Sequence, residues 1–190
     1  MLIGPVLKDP PPSVSLSGEP VDRVTVFKLL GVHVASDLKW SHHVDVITSK
    51  AAARLHFLKQ LKRSGAGRDD LLCFYGTMIR SVLEYACPVW HTSLNCCADE
   101  GIRVAEDGDY MLSLIRAGFD TLEAQRKQLT EHFFRRSVLP EMSCLHYLLP
   151  SKRDVSVTNR LHHVRTLEHL KCRTVKFRHS FIPNCLDHYV

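Results

Sequence analysis

Between Ser41 and Arg63 the apolar residues Val44, Ile47, Ala51, Leu55, Leu58 and Leu61 recur three or four positions apart. That spacing aligns them along one stripe of an α-helix, and such a stripe has to be covered by another element. The spacing predicts a helix over Ser41–Arg63, with Ser41 as its N-cap. Lys62 and Arg63 suit the negative end of its dipole, and the glycines at 65 and 67 stop it. The cover comes next in the sequence. Residues 68–86 are apolar on most sides through Leu71, Leu72, Phe74, Tyr75, Met78, Ile79, Val82, Leu83 and Tyr85, which predicts a second, buried helix that Pro88 ends or kinks.

Upstream, the pattern changes. Val14 and Leu16 alternate with serines, 17–20 supplies a turn, and Val21 and Val24 lead into a β-branched run at 26–34, where Gly31 reads as a bulge or a close backbone approach. Downstream, 95–109 has two adjacent cysteines, acids, two glycines and little periodicity, which reads as a loop. A short helix is expected over 110–117. Asp120 and Glu123 then make a start like a capping box for a helix that carries Leu122, Leu129 and Phe133 on its apolar face to about Val138. Pro140 and Pro150 punctuate the stretch after Val138. The expected organisation is a lead-in at 1–12, stiffened by Pro10, Pro11 and Pro12; strands at 13–39; helices at 40–94; an irregular loop at 95–109; further helices at 110–140; and an extended basic tail at 141–190. The expected fold class is mainly α with a small N-terminal β-hairpin or strand region (α+β).

The net charge of +5 is unevenly placed. From 151 to 180, eight basic residues face only Asp154 and Glu168, so this segment carries +6 and the remainder about −1. Excess cations of this kind attract phosphates without regard to base sequence, and equally keep a weakly ordered tail solvated. Arg54, Lys59, Lys62 and Arg63, on the polar side of the first helix, and Arg173, Lys176 and Arg178 in the tail are the candidate nucleic-acid contacts. A basic face also serves merely to keep an amphipathic helix soluble.

Seven scattered cysteines, an odd number, argue against a disulfide framework and for an intracellular, reducing compartment, nuclear or cytoplasmic. Cys73 and Cys87, among apolar neighbours, read as small core residues. No secretory signal and no apolar run of bilayer-spanning length is present, so no membrane partner is expected. Cys172, His179, Cys185 and His188 match a zinc site only loosely, because like ligands are not closely paired. Cys96 and Cys97 with Cys144 and His146 match less well. The pairs His42-His43 and His162-His163 read as surface residues. There is no P-loop, dinucleotide turn or marked nucleophile, and no cofactor is implied.

Four stretches carry a resemblance: FKLLGVHV at 27–34, LEYACPVWH at 83–91, SCLHYLLPSKRDV at 143–155 and RTVKFRHSFIPNCL at 173–186. In this order they resemble the end of the palm, the thumb and the C-terminal tail of reverse transcriptases of non-LTR (LINE-type) retrotransposons, over most of the chain from about Val14. The resemblance implies a helical, thumb-like bundle and partners such as RNA or a DNA–RNA hybrid. It implies no enzyme, because the polymerase needs a paired aspartate at a strand turn for two Mg²⁺ ions, upstream of the palm-end strand. Asp69-Asp70 instead opens a helix, and Asp107 and Asp109 fall after the thumb-like helices. The chain also departs from the pattern at 95–109, where a basic amphipathic helix is usual. The first block is similar as well to a short segment named after the N-terminus of an AlkB-type homologue. His43-Val44-Asp45 fits the lettering of the dioxygenase iron ligands, but inside an amphipathic helix it reads as surface. Three readings emerge: a non-catalytic fragment with weak, non-specific nucleic-acid binding; a helical interaction or assembly module that self-associates or completes its sheet with a protein partner; or a relic of the element with no function of its own.

Overall fold

The computed structural model describes residues 1, 12–94, 119–153, 167–168 and 170–190. The readings of 95–109 as a loop and 110–117 as a helix, most of the lead-in, and the residues Cys96, Cys97, Asp107, Asp109, His162 and His163 lie outside them. The described chain is mainly α with two small antiparallel hairpins, and it divides into two units. Unit 1 takes in residues 1–83 and 94–112, and unit 2 takes in 84–93 and 113–190.

In unit 1, β1 (Ser15–Leu16) pairs with β2 (Glu19–Pro20) around a turn at Ser17 and Gly18. The 26–34 run is not one strand. β3 (Val26–Leu29) folds back on β4 (Val32–Ala35), with Leu29 opposite Val32 and Lys28 opposite His33. Gly31 is therefore neither bulge nor close approach. It is the second residue of a two-residue turn in which Leu30 and Gly31 both have positive φ, 46° and 87°. That twist matches the right-handed twist of the strands, and glycine adopts it without a Cβ penalty.

α1 (Ser41–Arg63) has the expected bounds and packs on β4. Its N-cap is Trp40 rather than Ser41, since the Val44 amide already donates to the Trp40 carbonyl at 2.9 Å and puts Ser41 inside the first turn. Val44, Ile47, Ala51 and Leu58 are buried. So is His43, at 1% exposure, which corrects its reading as a surface residue; Asp45 beside it is exposed. α1 packs against a second helical run made of α2 (Arg68–Phe74), a π-helical stretch (Tyr75–Arg80) and α3 (Ser81–Glu84). Only Leu71, Tyr75, Ile79, Arg80 and Leu83 of this run are buried, so it presents one face and not most sides to the core. Cys73 falls on the other face and is exposed, contrary to its reading as a core residue, whereas Cys87 is buried as expected. The run stops at Glu84 because Ala86 is left-handed, with φ of 52°. Pro88 does not end it; Pro88 sits in the first turn of α4 (Cys87–Trp90), where its missing N–H is not needed.

Unit 2 is built around α4, α5 (Leu122–Phe133) and a second π-helical stretch (Phe134–Val138). Thr121, not Asp120, caps α5, its hydroxyl accepting the Ala124 amide at 3.2 Å, and Glu123 pairs with Lys127 at 2.6 Å. The buried face is Leu122, Arg126, Thr130, Phe134 and Val138; Phe133, expected on it, is partly exposed. Part of the expected extended tail is instead folded. α6 (Val175–Arg178), capped by Thr174, leads into α7 (Phe181–Tyr189). Cys185 of α7 is fully buried with Phe134 and Val138, and Phe181, Ile182, Leu186 and Tyr189 pack around them. α7 is amphipathic through these residues, so burying its apolar face outweighs the local excess of positive charge.

Candidate nucleic-acid interface

The candidate contacts fall into two groups, one in each unit. The first lies at the C-terminal end of α1. Leu58, with no exposed surface, fixes the helix against its neighbours, and from 59 to 65 every residue is exposed. Lys59 and Lys62 are three residues apart and Lys59 and Arg63 four, so their side chains leave the helix on adjacent turns of one flank. Among the described residues, neither Lys59 nor Arg63 takes part in an ion pair. No Asp or Glu occurs from 46 to 68. The helix C-terminus contributes a partial negative charge that Lys62 and Arg63 offset.

Arg54 does not belong to this group. One guanidinium nitrogen donates to the Met78 carbonyl, so Arg54 clasps α1 to the π-helical stretch, where the widened hydrogen-bond spacing leaves a carbonyl to be met. It also lies on the opposite flank, in line with Phe57 and Leu61.

The second group sits around α6. Arg173, Lys176 and Arg178 are all exposed, but Arg178 reaches Asp187 of α7 at 3.8 Å. Such an exposed pair contributes little to stability, yet it reduces the net charge that Arg178 offers a phosphate.

Two further clusters were not legible as such in the sequence. At the junction of β4 and α1, the His33 amide donates to Nδ1 of His43 at 3.3 Å, and the His33 ring lies 5.4 Å from that of His42 and 6.0 Å from that of His43. Trp40 meets His43 edge-on at 6.3 Å. Burial first, then His33, Lys50 and His42, pushes the His43 pKa down to about 4. His33 is lowered too, by desolvation and then by His42, Lys28 and Lys50. In unit 2, Arg126 is 1% exposed, with its guanidinium 5.8 Å from the Trp90 ring centroid and its Nε donating to Nδ1 of His91 at 3.3 Å. Burial, then Arg126 and Lys127, holds His91 down at about 4, which keeps it neutral and able to accept that bond. Adjacent His-His and Trp-His letters signal neither cluster, because only the fold decides which ring turns inward.

Among the described residues, no three His, Cys, Asp or Glu side chains converge to hold a metal ion. Each residue of the loosely matched zinc set makes another contact or is buried, His179 through its main chain. Burial pushes the Cys185 thiol up to about 12, Cys172 donates to the Leu170 carbonyl, the His179 carbonyl accepts from Ser93, and His188 Nδ1 lies 2.8 Å from the Asn184 carbonyl. Asp69 and Asp70 are exposed in the first turn of α2, where they complement the dipole. No helix of the described residues is long and apolar enough to cross a membrane. No family model, curated protein or solved structure matches this chain.

Proposed function

We propose that this chain is a non-catalytic, reverse-transcriptase-derived module that contacts the phosphates of RNA or a DNA–RNA hybrid through the end of α1. The observation that carries the reading is the exposed trio Lys59, Lys62 and Arg63, grouped on one flank of a helix that Leu58 anchors and that has no acid from 46 onward. The physical mechanism is counterion release. Each cation that meets a phosphate frees condensed counterions, and base edges are not read, so sequence preference is slight. Arg173 and Lys176 of unit 2 add a second group of cations. The reading assigns no catalytic residue and puts the protein inside the cell, where its cysteines stay reduced.

The test is binding to a labelled RNA–DNA hybrid across a salt series. Three phosphate contacts give a slope of log K against log salt of roughly −2.7 for a duplex. The Lys59→Ala/Lys62→Ala/Arg63→Ala variant should lose most of that slope. A folded sample that shows no binding at low salt refutes the reading.

One observation favours a second reading, an interaction module. Leu29 is 54% and Leu30 85% exposed on the β3–β4 hairpin, and Phe27, Val14, Leu16, Val21 and Val24 are exposed as well. Apolar groups clustered on a hairpin suit contact with a protein or a second copy. Light scattering over a concentration series decides it: a monomer at every concentration, with no binding of an apolar dye, counts against it.

A further inference from the structure

The flank of α1 opposite the Lys59–Arg63 trio forms one wall of a groove of about 670 Å³, lined by Arg54, Phe57, Gln60, Leu61 and Ser64 of α1 and by Phe74 and Met78 across from them. The whole groove lies within unit 1. Its floor is apolar, yet Phe57 is 62% exposed, and Leu61 and Met78 are about two-fifths exposed. From Arg54 to Ser64 the wall runs about 15 Å at 1.5 Å per residue. That length matches three anchor positions, i, i+4 and i+7, of a helix laid alongside.

We propose that this groove binds an acidic amphipathic helix of a protein partner. The apolar floor specifies the anchors, and the charge around it specifies the flanks. Lys50, Arg54, Phe57, Leu61 and Ser64 succeed one another at steps of four and three, so one face of α1 carries two cations leading into the apolar patch. On this face α1 bears Lys50 and Arg54 and no carboxylate. A second copy laid on the same face would bring like charges together, which disfavours self-pairing there. A nucleic acid finds few cations among the lining residues and mostly hydrocarbon. Glutamates flanking leucine anchors meet both features. Asp70 sets the polarity of the complex: it shares the face of Phe74 and Met78, so the occupant's residue at that end is neutral or basic.

The experiment uses the full chain and fluorescein-labelled peptides of about 16 residues, with leucines at i, i+4 and i+7 and either glutamates or lysines on the flanks. Anisotropy at about 0.1 M salt should show saturable binding of the glutamate peptide, with the lysine peptide weaker by at least about tenfold. Phe57→Asp/Met78→Asp should weaken the glutamate peptide by at least about tenfold, and the milder Phe57→Ser by several-fold, with circular dichroism unchanged. Lys59→Ala/Arg63→Ala should leave it within about threefold, because those residues face away. This outcome is independent of the hybrid-binding result. The proposal is overturned by equal binding of both peptides, by no binding to a folded sample, or by indifference to both Phe57 variants. It is likewise overturned if an RNA–DNA hybrid displaces the peptide, which gives the groove to nucleic acid. A dimer that Phe57→Asp dissolves would give it to a second copy.

Discussion

Lowering the pH should unfold unit 1 from its histidine junction, and the size of the effect is set by His43. Its pKa is about 4 in the fold, against 6.5 when unperturbed, because its ring is buried and the neighbouring His33, Lys50 and His42 push it in the same direction. The unfolded chain therefore binds the proton more readily, so stability is full above about pH 6.5 and falls as pH drops towards 4. At pH 5 the loss attributable to His43 is about 2 kcal/mol, and it approaches about 3 kcal/mol at pH 4. The two tryptophans allow each unit to be followed by itself, since Trp40 contacts His43 in unit 1 and Trp90 contacts His91 in unit 2. With 5-fluorotryptophan incorporated, ¹⁹F NMR across a urea series at pH 7 and pH 5 reads both. The Trp40 midpoint should move down by about 2 kcal/mol divided by the urea slope. His43→Gln, which keeps an acceptor for the His33 amide but cannot titrate, should remove most of that movement. A Trp40 midpoint that is the same at both pH values, or a variant that keeps the full pH dependence, would refute the assignment.

Three other outcomes are expected. Leu30→Asn should stabilise unit 1 by about 1 kcal/mol, because asparagine tolerates the left-handed turn that leucine occupies at a cost; urea midpoints measure it. Under native conditions a thiol reagent should modify Cys73 and Cys144, which are exposed, while Cys87 and Cys185, buried with thiol pKa values of about 11 and about 12, should react only on unfolding; peptide mass mapping over time distinguishes them. Arg126→Met should raise the pKa of His91, since after burial the guanidinium is the largest influence holding it down, and should destabilise unit 2 by about 2–4 kcal/mol through the lost cation–π contact and the unmet His91 acceptor; an NMR titration of the His91 ring and the Trp90 unfolding signal read the two effects.

How much of this was legible in the sequence depended on whether one residue type could settle a position. α1 was readable from Ser41 to Arg63 because its apolar spacing and its glycine stop agree. The β3–β4 hairpin was hidden, since its turn is made by Leu30 and Gly31 within the apolar stretch 29–32, where a polar Asn-Gly would have announced it. Cys73 and Cys87 look alike in composition; only the orientation of their helices exposes one and buries the other. His43 and Arg126 occupy core positions that polar letters argue against, and each is tolerated because a backbone or ring partner meets it in place. For the interface, the exposed Lys59, Lys62 and Arg63 stand where the helix pattern put them, whereas Arg54 was drawn away by a carbonyl 24 residues on that no local pattern reveals.

The two π-helical stretches share a property with the residues that surround them. Leu71, Tyr75, Ile79 and Leu83 recur at steps of four, as do Leu122, Arg126, Thr130, Phe134 and Val138. At 3.6 residues per turn each such step overshoots by about 40°, so three would swing a core residue about 120° out of line. A stretch that takes more residues per turn absorbs the surplus, as a leap day absorbs the mismatch between calendar and orbit. Each π-helical stretch is thus a timing correction in a sequence written with the wrong period for an α-helix. Removing one residue from Tyr75–Arg80 should be absorbed by reversion to α-helix, whereas the same deletion in the middle of α1, which keeps no such reserve, would put every later side chain on the wrong side.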